Sequence, residues 1–239
     1  MGVLETKTIE PQQHMSRSKR YQEVVGKVDQ NKIYTIEEAL AILRQTATTK
    51  FTPSVELHAR LGIDVTKSDQ LVRGTVALPH GSGKKVRVAV FAEEAKHKDA
   101  ADADVVGGEQ AIEALAKSGK VDFDIAIATP GMMKHMAKVA RVLGPKGMMP
   151  SPKSETVTEN IKETIAALKK GKISFKNDST ANVHVVIGKA SFTDEQLKEN
   201  LEVFLDALKK AKPSSSKGTY LKNLSMNVTM GPGVKITTA

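Results

Sequence analysis

The sequence predicts an α+β sandwich domain that is interrupted by an inserted α/β domain. Three observations lead to this fold class. Strands that alternate apolar and polar residues lie towards both ends of the chain, at residues 55–64 and 224–230. Between residues 81 and 150, apolar strands alternate with helical segments, a layout that is typical of a parallel sheet. Pro- and Gly-containing stretches at residues 79–81 and 150–152 separate the two patterns and are the predicted linkers.

These linkers divide the chain into three regions. Residues 17–80 plus 151–239 are predicted to form the first domain, a discontinuous two-layer sandwich. Residues 81–150 are predicted to form the inserted domain, with helices on both faces of its sheet. Residues 1–16 have no sustained periodicity and are expected to be a flexible tail. A chain of 239 residues is long enough for two modest domains.

The first part of the sandwich is predicted to contain one helix and two strands. Thr35 and Glu38 have the three-residue spacing of a capping box, which predicts that a helix begins there. Residues 55–64 alternate strictly, which predicts a strand with one buried face. Residues 73–78 continue in an extended pattern as far as the first linker.

The inserted region alternates strand and helix. Residues 86–91 and 124–128 are short and mostly apolar, as expected for strands that are buried on both faces. Residues 109–118 are predicted to be helical, and a further helix is predicted to follow Thr129–Pro130 and run to Leu143.

The sandwich pattern returns after residue 152. Thr158 is the predicted cap of a helix that ends at Gly171, because glycine commonly terminates helices. Residues 173–175 and 181–187 are predicted to form a hairpin around Asn177–Asp178, a turn signal.

The last part contains a long helix and the final strand. Thr193 and Gln196 form a second predicted capping box, and the helix is expected to run to Lys210. The final strand places four apolar residues on one side: Leu224, Met226, Val228 and Met230. Its other side is polar but uncharged: Asn223, Ser225, Asn227 and Thr229.

Charge adds a functional indication to this strand. The chain has 36 basic and 27 acidic residues, a net charge of +9. Asp206 is the last acidic residue, and six lysines follow it. Uncharged hydrogen-bonding groups in a positive field are suited to the sugar hydroxyls and phosphates of RNA. On the pattern alone, an ordinary solvated sheet face is the commoner explanation.

Several function classes are excluded or disfavoured by composition. The chain has no cysteine, so disulfides and cysteine-ligated zinc are excluded. Its six histidines are scattered without an HExxH motif, and no GxSxG motif occurs, so we expect no metal site and no catalytic residues. It has no run of eighteen apolar residues, which predicts no membrane span and a cytoplasmic location.

A nucleotide-dependent enzyme that uses the inserted domain is the alternative from another functional class. The loop Gly81–Lys85 (GSGKK) resembles a phosphate-binding loop, but Leu78 stands where a Walker A motif needs glycine. No GxGxxG fingerprint is present either. We therefore expect no cofactor and no enzymatic activity.

Several segments together resemble one family. They are Phe51–His58 (FTPSVELH), Arg73–Val76 (RGTV), Leu78–Gly81 (LPHG), Gly144–Gly147 (GPKG) with Pro150 and Pro152–Lys153, and Thr229–Pro232 (TMGP). In this order and spacing they resemble the ribosomal protein L-one family in its bacterial form, over residues 17–236. The resemblance implies a discontinuous sandwich domain with an inserted Rossmann-like three-layer domain.

The resemblance also implies a function and a set of partners. Members of the family bind large-subunit ribosomal RNA and form the mobile side stalk that assists release of deacylated tRNA from the exit site. Bacterial members also bind their own messenger RNA and repress its translation. The implied partners are therefore stalk rRNA, exit-site tRNA and the protein's own mRNA, with the protein a ribosome-associated monomer. A free translational repressor without a ribosomal role is a further alternative.

The same resemblance implies an RNA-binding site, chiefly in the first domain. The residues carried over by motif are Lys50, Phe51, Glu56, Thr229, Met230 and Gly231. Those placed on the same polar face by neighbourhood are Ser54, His58, His184 and Asn223. Many members have Ser at the position of Asn223, which puts the geometry of that contact in question.

Overall fold

The computed structural model describes residues 17–237, except the side chains of Glu94, Ala95 and Lys98, so the predicted tail at residues 1–16 lies outside it. Its α-helices are α1 (Lys19–Val25), α2 (Ile36–Thr46), α3 (Glu109–Ser118), α4 (Met133–Met136), α5 (Ala140–Leu143), α6 (Ile161–Lys169) and α7 (Asp194–Lys210). Its strands are β1 (Ser54–Leu61), β2 (Arg73–Ala77), β3 (Val88–Phe91), β4 (Val105–Gly107), β5 (Ile125–Ala128), β6 (Lys172–Lys176), β7 (Asn182–Lys189), β8 (Leu221–Val228) and β9 (Val234–Ile236). Short 3-10 helices occupy Ser68–Gln70, Glu94–Ala100, Ala137–Val139 and Pro152–Ser154.

A four-stranded antiparallel sheet with the strand order β7-β1-β8-β9 contains both of the alternating segments. β1 pairs on both of its sides, so that Leu57 lies opposite Val185 of β7 and Met226 of β8. Burial alternates along β1 and β8, with the apolar residues inside and the polar residues facing solvent. The predicted period of two is therefore confirmed in both strands.

Helices α2 and α7 cover the apolar face of this sheet. The capping boxes predicted at Thr35 and Thr193 are both formed. In the core below α7, the ring of Phe204 meets that of Phe175 edge to face, with 5.3 Å between centroids. This packing of helices on sheets confirms the mixed α+β character of the fold.

The hairpin predicted around Asn177–Asp178 is confirmed only as a turn with a single antiparallel bridge, between Asn177 and Val183, and its two strands do not pair further. β6 pairs with β2 in a separate two-stranded sheet, whereas β7 pairs with β1. The reason is that Asn177 forms two hydrogen bonds with Val72. The Val72 N–H donates to the side-chain oxygen of Asn177 (2.8 Å), and the Asn177 N–H donates to the Val72 carbonyl (3.0 Å). These bonds direct the chain from one sheet into the other.

Three parallel strands in the order β4-β3-β5 form the sheet of the inserted region. All four residues of β3 are buried, because both faces of the sheet are covered. One face carries Ala89 and Phe91, which share a core cluster with Ile112 of α3 and Met136 of α4.

The opposite face of the parallel sheet is covered by α6. Ile161, Ile165 and Leu168 of this helix pack in one cluster with Val88 and Val90 of β3. The boundary predicted at residue 150 assigned α6 to the sandwich, and this packing disagrees with that assignment. The amphipathic pattern of α6 indicates that one face is buried but does not specify against which sheet.

Two further predictions about helices need correction. The cap of α6 is Asn160 and not Thr158, because the Asn160 N–H donates to the Thr158 hydroxyl at 3.0 Å in a turn before the helix. The helix predicted to run to Leu143 is divided into α4, a 3-10 turn and α5. Val139, with φ −101° and ψ 2°, departs from α-helical geometry between them.

The chain enters and leaves the region of the parallel sheet at adjacent points. A Cβ atom on Gly171 would lie 2.4 Å from the Cα of Gly81, so neither a side chain nor a solvent layer separates the two backbones. Both glycines have positive φ, +110° and +67°. The fully buried Asn200 of α7 holds this crossing, donating to the carbonyls of Gly81 (3.0 Å) and Ile187 (2.8 Å) and accepting the His80 N–H (3.1 Å).

The substitution Asn200→Ala should destabilise the protein by about 2 to 4 kcal/mol, because it leaves buried carbonyls without a donor. Urea unfolding measures the change. Lys198→Ala is the control on the same helix, since it removes an exposed pair with Glu37 and should change stability by less than about 1 kcal/mol. Equal effects of the two substitutions would show that Asn200 does not secure the crossing.

Candidate nucleic-acid interface

The solvent-facing side of the four-stranded sheet carries a continuous group of polar side chains. The register places Glu56 opposite Asn227, and His58 opposite both Ser225 and His184. The alternation of β1, β7 and β8 produces this face, because every second residue must point away from the core. Four residues named from the sequence therefore share it: Glu56, His58, His184 and Asn223.

Two histidines meet at the centre of this polar face. The Nδ1 atoms of His58 and His184 are 2.8 Å apart, and His58 Nε2 lies 2.9 Å from the side-chain oxygen of Asn227. Because that oxygen accepts, His58 donates from Nε2 and accepts from His184 at Nδ1. Both nitrogens of His58 are thus engaged within the protein, whereas His184 is exposed and within 3.5 Å of an Asp178 carboxylate oxygen.

Asp178 organises the turn that leads into β7. Its carboxylate accepts the backbone N–H of Asn182 at 2.7 Å and that of Thr180 at 2.9 Å. These hydrogen bonds hold the pKa of Asp178 far below its usual value, with the largest effect from the Asn182 N–H and smaller effects from Thr180. The turn also accommodates Ala181 at φ +63°. Sequence reasoning identified Asp178 only as part of a turn and missed its contact with the polar face.

Ser54 and Thr229 join the two central strands at one end of the sheet. The Thr229 hydroxyl accepts the Ser54 N–H at 3.0 Å, and the Thr229 N–H donates to the Ser54 carbonyl at 3.0 Å. The ammonium group of Lys189, at the end of β7, donates to the Ser54 hydroxyl at 2.9 Å. Lys189 was not identified from the sequence, and its position at the polar end of an alternating strand is the signal that could have found it.

The turn after β8 contains the next two residues carried over from the motif. Met230 was predicted on the apolar side of the strand, but β8 ends at Val228 and Met230 is 63% exposed at φ +64°. The Gly231 N–H donates to the Val228 carbonyl at 2.7 Å and closes the turn. A Cβ on Gly231 would lie 2.6 Å from Val228 Cγ2, so this glycine is needed for packing within the protein.

The named residues fall into two groups along the sheet. Lys50 and Phe51 are exposed just before β1, at the end that carries Ser54, Thr229, Met230 and Gly231. Asn223 lies opposite Arg60 near the other end of the sheet, and six residues of strand from Thr229 to Asn223 span roughly 20 Å. The first group combines two exposed apolar side chains with cations. The second group consists of Glu56, His58, His184 and Asn223 and contains only polar side chains.

The inserted sheet has a crowded edge where a nucleotide phosphate would be expected. In such folds, phosphates bind beyond the carboxyl ends of neighbouring strands at the switch point, here β3 and β5. A Cβ on Gly131 would lie 2.6 Å from the Glu93 carboxylate, which therefore occupies this position and would repel a phosphate. In the loop that resembles a phosphate-binding loop, Lys84 pairs with Asp124 at 2.7 Å.

No group of three or more His, Cys, Asp or Glu residues in the part of the chain that the structure describes is arranged to hold a metal ion. Over the same residues, no helix is long and apolar enough to cross a membrane.

Comparison with known proteins gives consistent matches. Residues 43–232 match the model of the family described as the ribosomal protein L1p/L10e family. The chain is similar to the large ribosomal subunit protein uL1 of Kosmotoga olearia, with 49% identity over 222 residues, 92% of this chain and 96% of the relative. It is also similar to the large ribosomal subunit protein uL1 of Saccharopolyspora erythraea, with 50% identity over 222 residues, 92% of this chain and 93% of the relative.

These matches and the mixed α/β fold define the class of the protein, which is a structural protein of the large ribosomal subunit that acts in translation and is not an enzyme. The chain belongs to the ribosomal protein L1p/L10e family, as the motifs at both ends of the sequence predicted. Its place in the cell is accordingly on the ribosome in the cytoplasm.

The Asp178 turn should make the free energy of unfolding depend on pH in the acidic range. Because the folded state lowers the pKa of Asp178, its carboxylate stabilises the fold above its ordinary pKa of about 4, and this contribution is lost as the pH falls. Asp178→Asn should therefore destabilise the protein most near neutral pH, and the difference from the unsubstituted protein should shrink towards about pH 2. Thermal unfolding across this range measures it.

The matched control is Asp206→Asn, which removes an exposed carboxylate from α7. It removes the same charge without touching the turn, so it should change stability only slightly at neutral pH. A stability difference for Asp178→Asn that stays constant from neutral pH to about pH 2 would contradict the role assigned to the ionised carboxylate.

Proposed function

We propose that the protein binds large-subunit ribosomal RNA through the polar sheet face and the end of the sheet that carries Phe51 and Met230. The observation that carries this proposal is that Phe51 and Met230 are 51% and 63% exposed beside hydrogen-bonding groups and cations. At least half of each residue is thus open to solvent and available to a partner. Both side chains are suited to contact with unstacked bases, as in other RNA-binding surfaces.

Each part of this surface has a different role in binding. Lys50 and the other cations attract phosphates, and this attraction is sensitive to salt. The uncharged row on β8 is suited to bonding with 2′-hydroxyl groups, which distinguish RNA from DNA. Glu56 accepts hydrogen bonds, and we assign it to a base amine or a 2′-hydroxyl. Gly231 contributes by closing the turn that presents Met230, since Val228 fills the space that a side chain on it would need.

The finer functions rest on the resemblance to the family. We propose that the bound RNA is the stalk region, that the protein assists release of deacylated tRNA from the exit site, and that it represses translation of its own mRNA. The stalk rRNA and the protein's own mRNA would compete, because both would bind the same surface of the protein. In this proposal the protein is a monomer within the ribosome, and stalk motion depends on a hinge between its two domains.

The proposed domain division follows the packing of α6. We assign residues 17–80 and 171–237 to the RNA-binding domain and residues 81–170 to the inserted domain, moving the second boundary from 150 to 170. The adjacency of Gly81 and Gly171 supports this choice, because two neighbouring single-chain crossings form a natural hinge. The stretch at residues 150–152 lies within the inserted domain in this division.

Truncation of the exposed apolar pair tests the RNA surface. Phe51→Ala should weaken binding to a transcript of the stalk rRNA by about 1 to 3 kcal/mol, the range found for loss of one base-stacking side chain. Met230→Ala should weaken it in the same direction. Neither should change the melting temperature appreciably, because both side chains are largely exposed. Filter binding and thermal melting measure the two quantities.

Val203→Ala is the matched control for this pair of substitutions. Val203 is 36% exposed on α7, which covers the opposite face of the sheet, and its truncation should leave RNA affinity unchanged. If Phe51→Ala and Met230→Ala both bind the transcript as tightly as the Val203 control, the proposed surface is wrong.

Two deletions test the domain division. A chain without residues 82–170, with Gly81 joined to Gly171 through one or two glycines, should fold and bind the transcript specifically, because the joined ends are already adjacent. A chain without residues 82–149 should aggregate, because it retains α6 without the sheet that covers Ile161, Ile165 and Leu168. Size-exclusion chromatography and filter binding measure both outcomes. Equal behaviour of the two deletions would refute the boundary at residue 170.

A further inference from the structure

Arg20 of α1 connects three parts of the chain that are distant in sequence. Its Nη2 atom donates to the carbonyl oxygen of Met230 at 2.9 Å, although 210 residues separate the two. Its Nη1 atom donates to the Thr48 hydroxyl at 3.3 Å. A single guanidinium group therefore joins the first helix to the turn after β8 and to the segment before β1.

The turn that Arg20 reaches is closed by the bond from the Gly231 N–H to the Val228 carbonyl. The Met230 carbonyl lies in the same planar peptide group as that N–H, so Arg20 and Val228 hold opposite sides of one peptide unit. Met230 lies at φ +64°, in the left-handed region that is unfavourable for a residue with a side chain. A charged donor on the Met230 carbonyl is suited to oppose relaxation of this conformation.

The second bond of Arg20 acts on the other half of the exposed apolar pair. Thr48 lies three residues before Phe51, and the hydroxyl of the intervening Thr49 donates to the Phe51 carbonyl at 2.8 Å. The segment that carries Phe51 is thus fixed at Thr48 by Arg20 and at Thr49 by its own side chain. The fork geometry of guanidinium is suited to two acceptors, whereas a lysine ammonium acts as a point charge.

The neighbouring cations, Arg17 just before α1 and Lys19 at its start, differ from Arg20 in their contacts. The guanidinium of Arg17 lies over the ring of Tyr21, 4.7 Å from its centroid, and the side chain of Lys19 is exposed. Neither has a hydrogen bond to the turn after β8 among the described contacts. Of these three cations, Arg20 alone has a hydrogen-bonded target among the described contacts, whereas Arg17 and Lys19 are exposed to solvent.

We propose that Arg20 is a positioning residue for RNA recognition, and that it sets the geometry of Met230 and Phe51 without itself binding a phosphate. This inference rests on the proposed RNA-binding function. It assigns to α1 a role that its charge alone does not indicate, because the guanidinium group of Arg20 donates to two groups of the protein. The turn after β8 has the geometry that RNA binding requires only while α1 is docked against it.

Three substitutions test the proposal in the full-length chain. Arg20→Met removes both bonds, Arg20→Lys keeps the charge but not the fork, and Arg17→Met removes the same charge without touching the turn. Affinity for the stalk rRNA transcript is measured over a series of salt concentrations. In the absence of RNA, backbone amide resonances of Thr229, Met230 and Gly231 are recorded by NMR.

For Arg20→Met we expect roughly tenfold weaker binding, the size that corresponds to loss of a hydrogen bond from a charged donor. The slope of log affinity against log salt should not change, because no phosphate contact is lost. Arg20→Lys should bind the transcript nearly as weakly as Arg20→Met does. The amide resonances of the turn should shift in both Arg20 variants and stay in place in Arg17→Met.

Other results would overturn the proposal. A salt slope that is shallower by about one unit in Arg20→Met, or full binding by Arg20→Lys, would identify Arg20 as a phosphate contact. Unshifted amide resonances of the turn in both Arg20 variants would show that it does not position the turn. If the unsubstituted protein does not bind the transcript, the proposed function fails, while the amide resonances still decide whether Arg20 holds the turn.

Discussion

The pairing register of β1 is the constraint on which the rest of the interface depends. β1 is bonded to β7 on one side and to β8 on the other, and its side chains alternate between the core and solvent. A slip of one residue would turn Leu57 outwards and bury His58. The burial of the apolar face against α2 and α7 therefore also determines which groups lie on the polar face. In this fold, one side of the sheet provides stability and the other carries the proposed RNA-binding groups.

The alternating strands and both capping boxes could be predicted from the sequence because their signals are local. Thr35 and Thr193 cap helices through bonds to residues three positions away, and each strand contains its own pattern of burial. The partners of β6 and α6 could not be predicted in the same way. A strand or an amphipathic helix indicates that one face is buried, whereas the choice of sheet depends on contacts that are distant in sequence, such as the two bonds between Asn177 and Val72.

The candidate site divides along the same line. The motifs identified residues such as Phe51 and Thr229, but the pattern extended the final strand through Met230, where the backbone in fact turns at positive φ. The residues that support the site were missed, because their contacts join segments far apart. Lys189 reaches Ser54 across 135 residues, and Arg20 reaches Met230 across 210. No window of sequence contains both partners of such a bond.

The placement of β1 has a consequence for the order in which the chain matures. β1 is made early in synthesis, but both of its neighbours in the sheet lie beyond residue 181, so its edges stay unpaired until most of the chain has emerged. The parallel sheet and α6, by contrast, are complete by residue 169. During translation, the middle of the chain is therefore able to fold first, while β1 stays unpaired until its partner strands have been made.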